Sequence, residues 1–198
     1  MINKLALKTA EKFVSNDNTL YDKIEVYQYG FFVLYSNILF FIIALIIGMI
    51  LDVLLQSIIF FFTFFSIRQF AGGYHAPTET RCEILSTLSI LACIFVIKLS
   101  KIYDFQMVLL IISALSAVCI FVFCPLDTTE KPLSDKEFKY FRKISWIILL
   151  VISTLIIISY IFKRDFVFAP CCMSLVLESI LISAGKIKKL LDNKKIKI

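Results

Sequence analysis

The chain has 198 residues, of which 60% are hydrophobic and 18% charged, and its formal net charge is +6. A soluble domain is nearer half apolar and a quarter charged, so this composition, with apolar runs long enough to cross a bilayer, excludes a soluble protein. The Lys and Arg residues flank the apolar runs, where membrane orientation requires them, and no DNA- or RNA-binding motif is present. The positive charge therefore does not indicate a nucleic-acid partner.

Residues 1–28 are predicted to form an amphipathic N-terminal helix and a linker. Apolar residues recur near helical spacing from Ile2 to Val14, and lysines occupy other positions. Such a helix either lies in the membrane interface or packs on the rest of the protein, and the polar stretch Ser15–Asn18 ends it. The region lacks the apolar core of a secretory signal, so no cleavable signal peptide is predicted.

Six apolar segments follow in residues 29–185, the predicted polytopic membrane domain. They span roughly residues 31–51, 53–67, 84–97, 105–126, 146–162 and 166–185. The second and third are shorter than the about 20 residues of a usual crossing. Two arrangements are therefore open: six spans, or four full spans with a re-entrant pair. The predicted fold class is an all-α integral membrane protein, and a basic cytoplasmic tail, residues 186–198, ends the chain.

The distribution of Lys and Arg predicts the orientation of these segments. If the N-terminus is inside and all six segments cross, 17 of the 21 Lys and Arg residues lie on the inner side and four on the outer side. Positively charged loops stay in the cytoplasm. We therefore expect both termini, and the loop at 68–83, to face the cytoplasm.

One short polar stretch, residues 68–83, separates the second and third apolar segments. It contains the only histidine of the chain, His75, the adjacent pair Gly72 and Gly73, and Cys82. The other five cysteines lie in or beside apolar runs or next to each other, and we interpret them as packing residues. The residues that could carry chemistry are therefore concentrated in this stretch.

Cys82 is predicted to lie in the first turn of a helix. Thr80 as N-cap and Glu83 three residues later fit a capping box, and an apolar run follows. The positive end of the helix dipole stabilises a thiolate there, and the thiolate is the nucleophilic form of cysteine. The alternative interpretation is a cysteine that merely starts a helix.

His75 precedes Cys82 by seven residues, a gap of about 10 Å along a continuous helix, which is too long for a hydrogen bond. Pro77 opposes a continuous helix, and a turn would bring the imidazole back over the helix start. His75 would then act as general base toward the thiol and as general acid toward a leaving amine. Three acids remain open as the group that orients it: Glu79, Glu83 and Asp127.

Three further features have more than one interpretation. Gly72 and Gly73 allow positive φ near a reacting carbonyl, or they form an ordinary loop hinge. Glu178, an acid inside an apolar segment, is either functional or pairs with a basic residue near the inner surface. One His and one Cys are too few ligands for a closed zinc site, so no metal is predicted.

The central stretch resembles the accessory gene regulator B family, whose members are bacterial integral-membrane cysteine endopeptidases. The resemblance is carried by the pattern Arg68-x-x-Ala71-Gly72-Gly73-Tyr74-His75 followed by Arg81-Cys82. The spacing of seven between His75 and Cys82 is its most specific feature. The stretch from Cys124 to Leu133 is similar to the family's second polar loop, with Glu130 in place of an asparagine.

The resemblance implies a function in the bacterial cell membrane. Cys82 would attack a carbonyl near the C-terminus of a small propeptide, with His75 as its partner, and keep the acyl part as a thioester on the way to a cyclic quorum-sensing autoinducer peptide. A substrate thiol or hydroxyl would then close the ring. Thioester exchange conserves bond energy, so no nucleotide or other cofactor is expected, and the chain has no P-loop. The family also implies a homodimer.

Supporting or substrate-binding roles are expected for Arg68, Gly72, Gly73 and Lys131. Lys131 belongs to the basic loop at 127–145, which either captures an acidic propeptide segment or sets orientation. The alternative function is a non-enzymatic membrane transporter or interaction subunit, in which His75 and Cys82 are packing residues.

Overall fold

The computed structural model describes residues 2–15, 23–74, 76, 78–126 and 133–195. Within these ranges the chain forms seven α-helices and no β-strand. The helices are α1 (Ile2–Val14), α2 (Ile24–Ile50), α3 (Leu54–Ala71), α4 (Glu79–Ile102), α5 (Gln106–Phe123), α6 (Asp135–Ile161) and α7 (Asp165–Lys195). Two compact units divide the chain, residues 1–43 and residues 44–198.

Six of these helices, α2 to α7, are long and apolar enough to cross a membrane. The predicted all-α membrane fold is therefore confirmed. α3 has 18 residues and α4 has 24, so both extend beyond the short apolar segments seen in the sequence. At 1.5 Å per residue, each reaches about 27 Å or more, close to the thickness of the hydrocarbon core.

In the first unit, α1 packs on the first part of α2. The ring centroid of Phe13 lies 5.2 Å from that of Tyr27 and 6.1 Å from that of Phe31. The Gln28 side-chain amide donates a 2.8 Å hydrogen bond to the side-chain oxygen of Asn3. The predicted amphipathic helix is confirmed, and these contacts favour packing on α2 over a helix held by the membrane interface alone.

In the second unit, α7 is the central helix and contacts α3, α4, α5 and α6. From Phe168 to Ser179 every residue except Val176 is buried. A helix that is apolar on all faces is expected inside a protein rather than at its surface. Two cysteines of this segment, Cys171 and Cys172, are buried and unpaired, as expected for packing residues.

The start of α4 differs from the sequence prediction. Thr78, not Thr80, is the N-cap, so the prediction of a capping box between Thr80 and Glu83 is wrong. The Thr78 hydroxyl accepts a hydrogen bond from the Arg81 N–H at 3.4 Å. Both threonines precede the apolar run, and Thr80 fits the capping-box pattern better because only it is followed by an acid three residues later. The backbone nevertheless begins the helix two residues earlier.

The start of α6 also differs. The helix begins at Asp135, so the stretch predicted as a loop at 127–145 is helical from residue 135 onward. Ser134 and Glu137 form a capping box, in which Glu137 accepts a 2.9 Å hydrogen bond from the Ser134 N–H. The first turns of α6 are polar and basic, so a prediction from the apolar run alone puts the start of the helix too late in the sequence.

Candidate active site

Cys82 lies at the N-terminal end of α4, as the sequence predicts. Its N–H donates a 3.0 Å hydrogen bond to the Thr78 carbonyl, the first backbone hydrogen bond of the helix. Its thiol is free and the residue is half-buried. Of the six cysteines, Cys82 alone combines partial exposure with a helix start, since Cys119, the other half-buried one, lies inside α5.

Gly72 and Gly73 follow α3 and turn the chain out of the helix. Their φ angles are +75° and +135°, so both use the positive φ that the sequence leads one to expect. Gly72 forms an isolated parallel bridge with Leu126, and the Leu126 N–H donates a 2.8 Å hydrogen bond to the Ala71 carbonyl. The start of the second polar loop, which follows α5, therefore lies against the central stretch.

Arg68, in the last turn of α3, holds this turn in place. Its Nη1 donates to the carbonyl oxygen of Gly72, and its Nη2 donates to the carbonyl oxygen of Tyr74 at 2.9 Å. A guanidinium presents several N–H donors in a rigid plane, so one side chain can fix two neighbouring carbonyls. Nη1 also lies 3.8 Å from Oε1 of Glu178 in α7, which confirms that Glu178 pairs with a basic residue.

α7 lies directly beneath the same turn. The Tyr74 N–H donates a 2.9 Å hydrogen bond to the carbonyl of Leu181. At Gly185 a Cβ atom would lie 2.9 Å from the Tyr74 nitrogen and 3.1 Å from the Gly73 carbonyl carbon, so only glycine allows this close approach. This part of the site was not predicted from the sequence, although a lone glycine inside a helical pattern is a signal of close packing.

The arrangement orients the peptide groups of the turn. In a trans peptide the C=O and the following N–H point in opposite directions. Because the Gly72 carbonyl points at Arg68, the N–H of Gly73 points away from Arg68. The parallel bridge between Gly72 and Leu126 turns this N–H toward the Leu126 carbonyl.

Four of the six predicted site residues are placed by the structure. Arg68, Gly72 and Gly73 are in direct contact, and Cys82 closes the first turn of the next helix, which follows a short connection. Four residue steps separate Tyr74 from Thr78, which limits the distance between their Cα atoms to about 14 Å. The other two predicted residues, His75 and Lys131, lie outside the described residues, as does Asp127.

Across the described ranges, no group of three His, Cys, Asp or Glu side chains is placed to hold a metal ion. What the described part of the site offers is a free thiol at a helix start and, a short connection earlier in the chain, a glycine turn with a fixed backbone. This combination suits covalent chemistry at a carbonyl group, in which a sulfur nucleophile attacks and backbone N–H groups bind the oxygen.

Comparisons with known proteins identify relatives of the chain. A family model described as "Accessory gene regulator B" matches residues 6–182. The chain is 31% identical over 169 residues to "Putative AgrB-like protein 2" of Clostridium perfringens (strain 13 / Type A), covering 81% of this chain and 79% of the relative. It is 28% identical over 156 residues to "Accessory gene regulator protein B" of Staphylococcus intermedius, covering 78% and 79%. No solved structure matches the chain.

Proposed function

The chain belongs to the accessory gene regulator B family of quorum-sensing proteins, and we propose that it acts as a membrane cysteine endopeptidase. Its substrate is a small propeptide, which it processes through a thioester on Cys82 toward a cyclic autoinducer peptide. The observation that supports this best is the half-buried, free Cys82 thiol at the start of α4, a short connection after the glycine turn. The other cysteines are buried or lie inside helices, so none offers a comparable nucleophile.

In the proposed reaction, the Cys82 sulfur bonds to a peptide carbonyl carbon of the propeptide. The C–N bond then breaks, and the leaving amine departs with the C-terminal fragment. His75 takes the proton from the thiol and gives it to that amine. The remaining acyl group is a thioester on Cys82. A thiol or hydroxyl of the same peptide attacks it, closes a ring and releases Cys82, so no water molecule or cofactor is consumed.

Arg68, Gly72 and Gly73 are the proposed supporting residues. Arg68 fixes the carbonyls of Gly72 and Tyr74, and Gly72 is bridged to Leu126 on the other side of the turn. Groups that are already fixed before the reaction lower its barrier without reorganisation. In this proposal the three residues support the reaction by fixing the backbone from which His75 follows.

Basic residues near the second polar loop are the proposed contact for an acidic segment of the propeptide. Lys131 is the residue expected from the sequence, and the first turns of α6 add Lys136, Lys139, Arg142 and Lys143. Opposite charges guide an encounter and fix its register more than they add affinity. These residues would therefore select the substrate rather than take part in bond cleavage.

We place the protein in the bacterial cell membrane with both termini in the cytoplasm, because Lys and Arg concentrate on one side of the six helices. A fluorescent-protein fusion after Ile198 is expected to fluoresce. An alkaline-phosphatase fusion after Asp104, in the connection between α4 and α5, is expected to be active. Phosphatase activity at Ile198 and none at Asp104 would reverse the orientation and put the site on the outer face.

The function is tested by co-expressing the protein with a short candidate propeptide that contains an internal Cys or Ser. Mass spectrometry should find the cleaved peptide and an acyl group on Cys82 that hydroxylamine releases. His75→Ala is expected to lower cleavage by at least about 100-fold, as for loss of a general base. Tyr103→Ala, at an exposed aromatic residue at the other end of α4, is the control and should cleave normally.

Cleavage that persists in His75→Ala would remove the proposed base. If the wild type binds the propeptide but neither cleaves nor acylates, the enzyme proposal fails, and the non-enzymatic interaction subunit becomes the better description of the chain.

A further inference from the structure

Glu178 is a fully buried acid in the middle of α7, with 0% of its surface exposed. Its ion pair with Arg68 Nη1, at 3.8 Å, is longer than a hydrogen bond. Neither carboxylate oxygen has a hydrogen-bond partner among the described residues. A buried carboxylate is costly unless it is paired, and an apolar residue would fill the same space without that cost. Packing alone therefore does not explain an acid at this position.

Arg68 is the residue through which Glu178 reaches the site. Its side chain is 21% exposed, and its Nη1 lies on the side of α7. When it lies on the α7 side, its N–H groups reach the carbonyls of Gly72 and Tyr74. The charge of Glu178 favours that position over the others.

We propose that Glu178 is a positioning residue of the active site, which acts through Arg68 to fix the carbonyls of Gly72 and Tyr74. The Tyr74 N–H donates a hydrogen bond to the carbonyl of Leu181, which lies one helical turn beyond Glu178 in α7. The carboxylate of Glu178 and the Leu181 carbonyl therefore hold the glycine turn from the same helix. With both carbonyls turned toward Arg68 and Gly72 bridged to Leu126, the turn is held from two sides. The expected effect of Glu178 on cleavage rests on the proposed function. Its expected effect on the order of the turn at residues 72–74 does not.

The surface pair formed by Lys101 and Asp52 provides a matched comparison. It is an ion pair of similar length, 3.4 Å, but its side chains are 51% and 88% exposed. An exposed pair contributes little because water screens it. Asp52→Asn is therefore the control for loss of a carboxylate charge far from the site.

The first test is hydrogen exchange of the full-length protein in lipid nanodiscs, read by mass spectrometry on peptides that cover residues 72–74. Glu178→Gln, which keeps the shape and removes the charge, is expected to raise exchange there by about 10-fold, since local opening sets the rate. Asp52→Asn should leave it unchanged. Unchanged exchange in Glu178→Gln would overturn the proposal.

A second variant, Arg68→Lys, covers the case in which Glu178→Gln fails to fold. It keeps a positive charge for Glu178 but loses the planar fork that reaches two carbonyls. Exchange at 72–74 is expected to rise as it does in Glu178→Gln. If hydrogen exchange at 72–74 in Arg68→Lys equals that of the wild type, the guanidinium does not fix the turn and the proposal is wrong.

The second test is a double-mutant cycle on propeptide cleavage. Glu178→Gln is expected to lower the rate at saturating propeptide by about 10-fold in the wild-type background, and by less than about 2-fold in an Arg68→Gln background. If the two substitutions lower the cleavage rate by factors that multiply in the double variant, Glu178 acts independently of Arg68, contrary to the proposal. If the wild type does not cleave at all, the proposed function fails, and the exchange experiment alone decides the role of Glu178.

Discussion

Replacing Cys82 with alanine is expected to abolish propeptide cleavage, with a loss of at least about 1000-fold, because removal of a covalent nucleophile leaves only binding and oxyanion stabilisation. The thioester adduct should disappear as well. Cys82 is half-buried at the start of α4, so the loss of its sulfur leaves no large cavity and the fold should persist. The measurement is mass spectrometry of the co-expressed propeptide, with the amount of protein in the membrane quantified in parallel.

Cys119→Ala is the matched control, because Cys119 is the other half-buried cysteine and the substitution is the same. Its thiol lies 3.5 Å from the Ser183 hydroxyl, inside the helix bundle. Cleavage in Cys119→Ala should stay within about 2-fold of the wild type, as for a residue outside the site. Cleavage that survives in Cys82→Ala would exclude Cys82 as the nucleophile and, with it, the thioester route.

The membrane fold could be predicted because it depends on composition and run length, which are local properties. Helix starts were harder. Thr78 and Thr80 both precede the same apolar run. Glu83 favoured Thr80 as the N-cap, whereas the N-cap in the structure is Thr78. The capping box of Ser134 and Glu137 was visible in the sequence, but it stands before polar turns rather than before an apolar run. A search for capping boxes, independent of hydropathy, would have found it.

The candidate site was predictable where its residues are close in sequence. Gly72, Gly73 and Cys82 belong to one stretch whose turn chemistry and helix start can be interpreted directly. The contribution of α7 was not predictable in the same way. Glu178 is 110 positions away from Arg68, and many basic residues could have been its partner. Only the packing of α3 on α7 selects one of them.

The two polar loops illustrate the same limit. Their resemblance to one family suggested that both matter, but not that they touch. The parallel bridge between Gly72 and Leu126 brings the beginning of the second loop to the glycine turn. The segment that leads from α5 into the second loop and the glycine turn that leads toward α4 are therefore in contact.

Gly73→Ala is expected to lower cleavage by at least about 30-fold, because two independent costs fall on the same backbone position. A φ of +135° is one that residues with a side chain rarely adopt, at a cost of about 1–3 kcal/mol. The new Cβ would also overlap Nη1 of Arg68 and push the guanidinium away from the Gly72 carbonyl. A destabilisation of about 2 kcal/mol already reduces the population of the ordered turn about 30-fold.

The control is Gly30→Ala in α2, where a Cβ would have no atom within 4 Å and the backbone is helical. This substitution should keep full cleavage and stabilise its helix by up to about 1 kcal/mol, since alanine is the better helix former. Both variants are compared for cleavage of the propeptide and for hydrogen exchange at 72–74. Normal cleavage in Gly73→Ala would mean that the turn rearranges without penalty. The positive φ and the Arg68 contact would then be incidental to catalysis.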